Sequence, residues 1–300
     1  LPIAPVKKNI LLVAFALGLL IPVVILFMLE NMNTTIRGRK DIERLTIPFV
    51  GEIPLHIGRK KAFPGKKEEK AIIVVKEKSR NVINEAFRVV RTNLEFMMGK
   101  DAHSKVIMVS SLNPGSGKTF ITMNLSTSLA VKSKKSSGED MDLRRASLSD
   151  YIHSPKCGIS DYLSGQVPDN SSIIVKGETI AGLDVIPVGA IPPNPTELLF
   201  SERFATLLEQ LRMEYDYIFI DCPPVEIVAD ASIINKYSDL TLFIIRAGLL
   251  DRNLLVDVEK FNERKYGNMS LILNGTDGGG NRYGYKYGYH YGYAGYTKEE

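Results

Sequence analysis

The apolar residues fall into three kinds of stretch. The first is continuous: Ile10 to Leu29 is apolar throughout, interrupted only by Gly18 and Pro22. At about 1.5 Å per residue such a helix is roughly 30 Å long, the thickness of a bilayer core. Proline is tolerated in membrane helices because neighbouring groups satisfy the carbonyl it frees. A signal peptide is the competing explanation; the length of the run and the poor cleavage site at Asn31–Thr35 argue against it. Lys7 and Lys8 precede the run, and Arg37, Arg39, Lys40 and Arg44 follow it, so the positive-inside rule puts the C-terminal side in the cytoplasm.

The second kind is periodic. In NVINEAFRVVRTNLEFMM, starting at Asn81, the residues Val82, Ala86, Val89, Val90 and Leu94 recur near a 3.6 period and predict a helix. The third kind is short and bounded by polar residues. Lys105–Ser111, Leu183–Pro187, Tyr217–Asp221, Leu240–Arg246 and Ser270–Asn274 read as strands, with helices between them, notably Lys118–Lys132 and Pro195–Arg212. Strands alternating with helices predict an α/β fold: a mainly parallel sheet with helices on both faces, preceded by one transmembrane helix. The expected divisions are an extracytoplasmic flank (1–9), the span (10–29), a cytoplasmic linker (30–80), a nucleotide-binding domain (81–274) and a flexible tail (275–300). The linker holds a short element at Ile47–Pro54 and a basic stretch from Arg59 to Lys67, read either as a contact for anionic lipid headgroups or as a solvated connector.

Composition adds limits. A hydrophobic share of 44% and a charged share of 24% are those of an ordinary globular protein. A net charge of +4 is too small to point to nucleic acid. Cys157 and Cys222 follow no metal or redox spacing and read as buried small residues in a reducing compartment. The chain begins with Leu, so a fragment, or numbering that starts inside a longer protein, is expected.

The sharpest chemical motif is Asn113-Pro-Gly-Ser-Gly-Lys-Thr119, set between a predicted strand and a predicted helix as a phosphate-binding loop should be. Backbone N–H groups from Gly115, Ser116, Gly117, Lys118 and Thr119 would cradle phosphate oxygens at the helix N-terminus. Lys118 would bridge the β and γ phosphates and Thr119 would ligate Mg2+. Leu112 stands where the strict pattern has its first glycine. Asp221 closes the apolar run YIFID, the position that holds magnesium in such folds. Asp140 and Asp142, with Arg144 beside them, fit a metal ligand paired with a proton acceptor, or else a capped helix start.

One stretch conflicts with this fold. In the family that the motifs given next resemble, an apolar strand leads into the acidic pair; here Lys135-Ser-Ser-Gly-Glu139 stands in its place. A buried aliphatic side chain contributes about 1.5–3 kcal/mol and a buried carboxylate carries a penalty. A central strand is therefore not expected over Ser136–Glu139. Three explanations stand: a loop with the sheet one strand short, an altered sequence, or a weak nucleotide site in a scaffold protein.

Several motifs together resemble the bacterial tyrosine kinases of polysaccharide export, the BY-kinases: SSLNPGSGKT at 110–119, DMDLRR at 140–145, IFIDCPP at 218–224, GISDYLSG at 158–165, GAIPPNPTELL at 189–199 and EAFRVVR at 85–91. The resemblance implies ATP with Mg2+ bound by Lys118, Thr119, Asp140, Asp142 and Asp221. Phe120 follows in the nucleotide set, and Asn274 is a base or ribose contact. It implies ring-like self-association through Glu85, Arg88 and Arg91, which otherwise read as charges sharing one broad helix face. It implies a bacterial inner-membrane location, transfer to tyrosines of a neighbouring subunit, and partners in a tyrosine phosphatase and the polysaccharide export machinery.

The tail carries the acceptors. Tyr283, Tyr285, Tyr287, Tyr289, Tyr291, Tyr293 and Tyr296 sit among glycines that leave no face to bury, so the segment reads as a flexible substrate or as a sticky low-complexity tail. Twenty-odd flexible residues span roughly 25 Å root-mean-square. The leading function is thus a tyrosine autokinase. A P-loop ATPase without tyrosine transfer and a non-catalytic export scaffold are the alternatives.

Overall fold

The computed structural model describes residues 7–56, 73–99, 104–132, 134–152, 155–177, 182–225, 230–264 and 268–277. The tail tyrosines and the basic stretch at 59–67 lie outside them. The described strands are β1 (Phe49–Pro54), β2 (Lys105–Ser110), β3 (Ser136–Asp140), β4 (Val175–Lys176), β5 (Leu183–Ile186), β6 (Tyr217–Asp221), β7 (Leu240–Arg246) and β8 (Met269–Thr276). They form one sheet in the order β1-β8-β7-β2-β6-β3-β5-β4. Every pairing is parallel except β4 with β5. The helices are α1 (Lys7–Met32), α2 (Arg39–Ile42), α3 (Val82–Met98), α4 (Lys118–Ala130), α5 (Ile159–Leu163), α6 (Pro195–Leu199), α7 (Glu202–Glu214), α8 (Asp230–Asn235) and α9 (Leu255–Glu263).

Strand side chains alternate between two cores, as a sheet covered on both faces requires. On β2, Ile107 and Val109 meet Phe87 of α3 and Ile121 of α4, whereas Val106 and Met108 join the cluster that holds Phe204 and Leu208 of α7. The expected long helix from Pro195 is two: α6 and α7 meet at Ser201, whose hydroxyl donates to the Leu198 carbonyl. A hydroxyl that bonds local backbone offers the chain an alternative to continued helix.

Two expectations are corrected. First, Ser136–Asp140 is a fully buried central strand, paired with β5 on one side and β6 on the other. Its side chains are small enough for close packing where bulk was expected. Ser136 donates to the Ser126 carbonyl of α4 at 2.9 Å, and Met123 and Leu148 border the space over Gly138. Glu139 has no exposed surface, accepts from Ser137 at 3.2 Å, and is pushed up to about 8 by burial, so it enters the core protonated at neutral pH. Second, the sheet takes in residues expected to be linker. β1 pairs along β8, and Ile36, Ile42 and Ile47 are core residues.

The segment after α1 is stitched to the segment after β7. Ile36 N–H donates to Leu250 O and Gly248 N–H to Ile36 O, both at 2.8 Å; Arg252 N–H donates to Thr34 O at 3.0 Å. Thr35 bridges Asp251, the Thr34 hydroxyl donates to the Asp251 carboxylate, and Arg252 pairs with Asp41 at 3.2 Å. Helix α1 itself is long and apolar enough over Ile10–Met32 to cross a membrane, and its apolar stretch is not covered by other described residues.

Candidate active site

The loop between β2 and α4 opens at the C-terminal edge of the sheet, where β2 lies between β6 and β7 and the chain turns both ways from the centre. That is where open α/β sheets bind ligands. Ser116 ties the loop to itself, its hydroxyl donating to Asn113 O at 2.8 Å. Gly117 has φ 89° and stands against β8: an added Cβ would lie 2.2 Å from Asn274 Nδ2. Only glycine takes that backbone at no steric cost. The Asn274 amide in turn donates to the Ser116 carbonyl at 2.8 Å.

Lys118, the first residue of α4, has Nζ 3.5 Å from Ser111 Oγ. Burial holds it below the ordinary lysine range, partly offset by the charges of Asp221 and Asp142. Thr119 donates to Asp221 Oδ2 at 2.5 Å. Asp140 and Asp221 are register partners across β3 and β6. Ser149 donates to Asp140 Oδ2 twice, from its N–H at 2.8 Å and its hydroxyl at 2.7 Å, and Val188 N–H fixes that hydroxyl at 2.9 Å.

The outer oxygens of both acids, Asp140 Oδ1 and Asp221 Oδ1, are buried and have no partner among the described residues. Burial raises Asp140 to about 6 and Asp221 to about 7, the latter pushed further by the Asp140 charge. Two desolvated carboxylates with orphaned oxygens beside a threonine hydroxyl fit a hard divalent cation. Few protein ligands suffice for magnesium, which keeps waters and takes phosphate oxygens. Asp142 follows β3, nearly buried, with Oδ1 accepting from Arg145 N–H at 3.2 Å. Arg144 reaches away to Asp230 at 3.4 Å and Thr196 at 3.4 Å, tying the acidic loop to α8 and α6.

Lys118, Thr119, Asp140, Asp142, Asp221 and Asn274 therefore gather at one edge. Phe120 does so through its backbone alone, because its ring packs edge-on against Phe87 at 5.8 Å. The trio on α3 divides. Glu85 and Arg88 pair at 3.0 Å, whereas Arg91 donates to the Ser128 carbonyl of α4 at 2.7 Å and so leaves the shared face. Sequence reasoning missed Ser149, which has no local signal, and Arg246, whose signal was a charge closing an apolar strand.

Known proteins resemble this chain in fold and in sequence. A family model described as an AAA domain matches residues 104–247. The chain is 32% identical over 286 residues to a putative tyrosine-protein kinase in the cps region of Klebsiella pneumoniae, covering 91% of this chain and 39% of that protein. It is 31% identical over 281 residues to the tyrosine-protein kinase wzc of Salmonella typhimurium, covering 90% and 38%. The chain thus spans about two-fifths of the length of the curated relatives it matches. The kinase domain of Escherichia coli tyrosine kinase ETK superposes with a TM-score of 0.69 at 29% identity, over 84% of this chain and 98% of that one. The BceF tyrosine kinase domain does so with a TM-score of 0.68 at 31% identity, over 80% and 99%. The fold is that of the P-loop nucleotide-binding class. The chain belongs to the bacterial tyrosine kinases, the BY-kinases.

Proposed function

We propose that this chain is the membrane-anchored cytoplasmic part of an ATP-dependent tyrosine autokinase of the bacterial inner membrane. It transfers the γ-phosphoryl group to tail tyrosines of neighbouring copies and thereby regulates polysaccharide polymerisation and export. The observation that carries the reading is the pair of orphaned carboxylate oxygens, Asp140 Oδ1 and Asp221 Oδ1, beside the lysine of a phosphate loop. The tyrosine-rich sequence begins at Tyr283, nine residues after Asn274, which bonds that same loop.

Thr119, Asp140 and Asp221 would hold Mg2+, which when bound would supply charge neutralisation at the phosphates. Lys118 holds the β and γ phosphates, and the loop N–H groups fix their oxygens. Asp140 or Asp142 takes the tyrosine hydroxyl proton. The phenol oxygen then bonds to the γ-phosphorus as the bond to the β,γ-bridging oxygen breaks and ADP leaves. Glu85 and Arg88 meet the next copy in a homo-oligomeric ring, while Arg91 holds α3 on α4. Helix α1 anchors the ring, and each phosphate adds about −1.5 to −2 charge to the tail, loosening it. A tyrosine phosphatase resets the cycle beside the export machinery.

Incubating the full chain with labelled MgATP tests this. Label is expected on tail tyrosines and is expected to vanish in Lys118→Met. Free phosphate without phosphotyrosine would make the protein an ATPase, and neither product would make it a scaffold.

A further inference from the structure

Arg246 ends β7 and is the register partner of Asn274. It is half-buried, and no acceptor or acid among the described residues bonds or pairs with it. Its position is built rather than incidental. Gly275, at φ 77°, lies against its guanidinium: an added Cβ would meet Cζ at 2.5 Å and Nε and Nη1 at 2.7 Å. Since Cζ is the nearest of the three, that Cβ would stand above the plane of the group and not at its edge. One flat face of the guanidinium is thus laid on the glycine, and its N–H donors project sideways. The phosphate loop is adjacent, because a Cβ on Gly117 would lie 4.0 Å from Nη1.

Charge and placement then select a ligand. Five fixed donors on a permanent cation, without a carboxylate, suit phosphate oxygens. Burial lowers Arg246, with no acidic neighbour to offset it. The metal-binding acids Asp140 and Asp221 are on β3 and β6, to one side of β2, whereas Arg246 and Asn274 are on β7 and β8, to the other. With the terminal phosphates at Lys118 and Thr119, the nucleoside end of the ligand falls on the Arg246 side.

We propose that Arg246 is a nucleotide-binding residue that grips the α-phosphate of the bound nucleotide, on the opposite flank of the loop from the metal. The inference rests on the nucleotide-binding reading above and adds a residue to it.

The test measures binding, not turnover. Full-length wild type, Arg246→Met and Arg246→Lys are purified in detergent. Displacement of a fluorescent ADP analogue by MgADP, AMP and adenosine is measured, with melting temperatures recorded with and without MgADP. Arg246→Met is expected to weaken MgADP at least tenfold and to erase the preference of AMP over adenosine. Arg246→Lys should recover much of both. The ligand-free melting temperature should not fall in either variant, since no described partner is lost. MgADP affinity within twofold of wild type in Arg246→Met would overturn the proposal. So would equal weakening of AMP and adenosine, which would put the side chain on the base. A wild type that binds no MgADP would instead sink the nucleotide-binding reading itself, and this inference with it.

Discussion

Glu139 sits between Ile186 and Ile220 in the register of the sheet, and its Oε2 has no partner among the described residues. Its carboxyl is held near 8 against an ordinary value of 4.5, with burial as the main cause. Between those values the folded chain keeps a proton that the unfolded chain releases. Stability therefore falls as pH rises from about 4.5 to about 8 and is then level, a loss on the order of 5 kcal/mol. Asp140 and Asp221 add slopes of the same sign below about 6 and 7. Glu139→Leu keeps the bulk and removes the titration, so urea unfolding should show it several kcal/mol more stable than wild type at pH 8. Near pH 5 the gain should be much smaller. An equal gain at both pH values would mean that Glu139 does not titrate in the core.

At the scale of elements, β3 shows what side-chain reasoning leaves out. A central parallel strand gains backbone hydrogen bonds on both edges whatever its side chains, and α4 is cut to match it, with Ser126 above Ser136 and Met123 above Gly138. The phosphate loop was legible because Asn113–Thr119 are contiguous and each has a distinct chemical duty. Asp140 and Asp221 were legible as acids closing or following strands, although the strand that carries Asp140 was not. Residues 49–54 stood out only as a short element in a connector, and not as part of the sheet, because β1 needs only one partner, β8, and is short. Arg246 and Ser149 depend on contacts that sequence does not display. The packing of β3 can be checked directly: a Cβ at Gly138 would meet Met123 Sδ at 3.7 Å and Leu148 Cδ1 at 3.9 Å, ordinary contact distances. Gly138→Ala should therefore stabilise the chain by about 0.5–1 kcal/mol through a less flexible unfolded state. Destabilisation in a denaturant melt would show that the space over the strand is already filled.

For the molecule as a whole, the proposed chemistry needs two copies: one to hold nucleotide and one to offer a tail. A mixing experiment separates transfer between copies from transfer within one. Full-length Lys118→Met, which keeps its tyrosines, is combined with a chain ending at Asp277, which keeps the site. The intact tail of the Lys118→Met chain is expected to become labelled at a rate that rises with the concentration of its partner. Absence of label in the mixture, with wild type labelling itself at a rate independent of dilution, would place the reaction inside a single chain.

The stitch between residues 34–36 and 248–252 bears on how such copies sense their surroundings. It starts two residues beyond the end of α1 and reaches to within two residues of Arg246. If the helix spans a membrane as proposed, a torque on it would meet the strand end through this short, hydrogen-bonded connection. By thermodynamic reciprocity, such a coupling would also let filling the strand end bias the rotation of the helix. On that reading the anchor would double as a gauge, its tilt and the occupancy of the cleft sharing one mechanical coordinate.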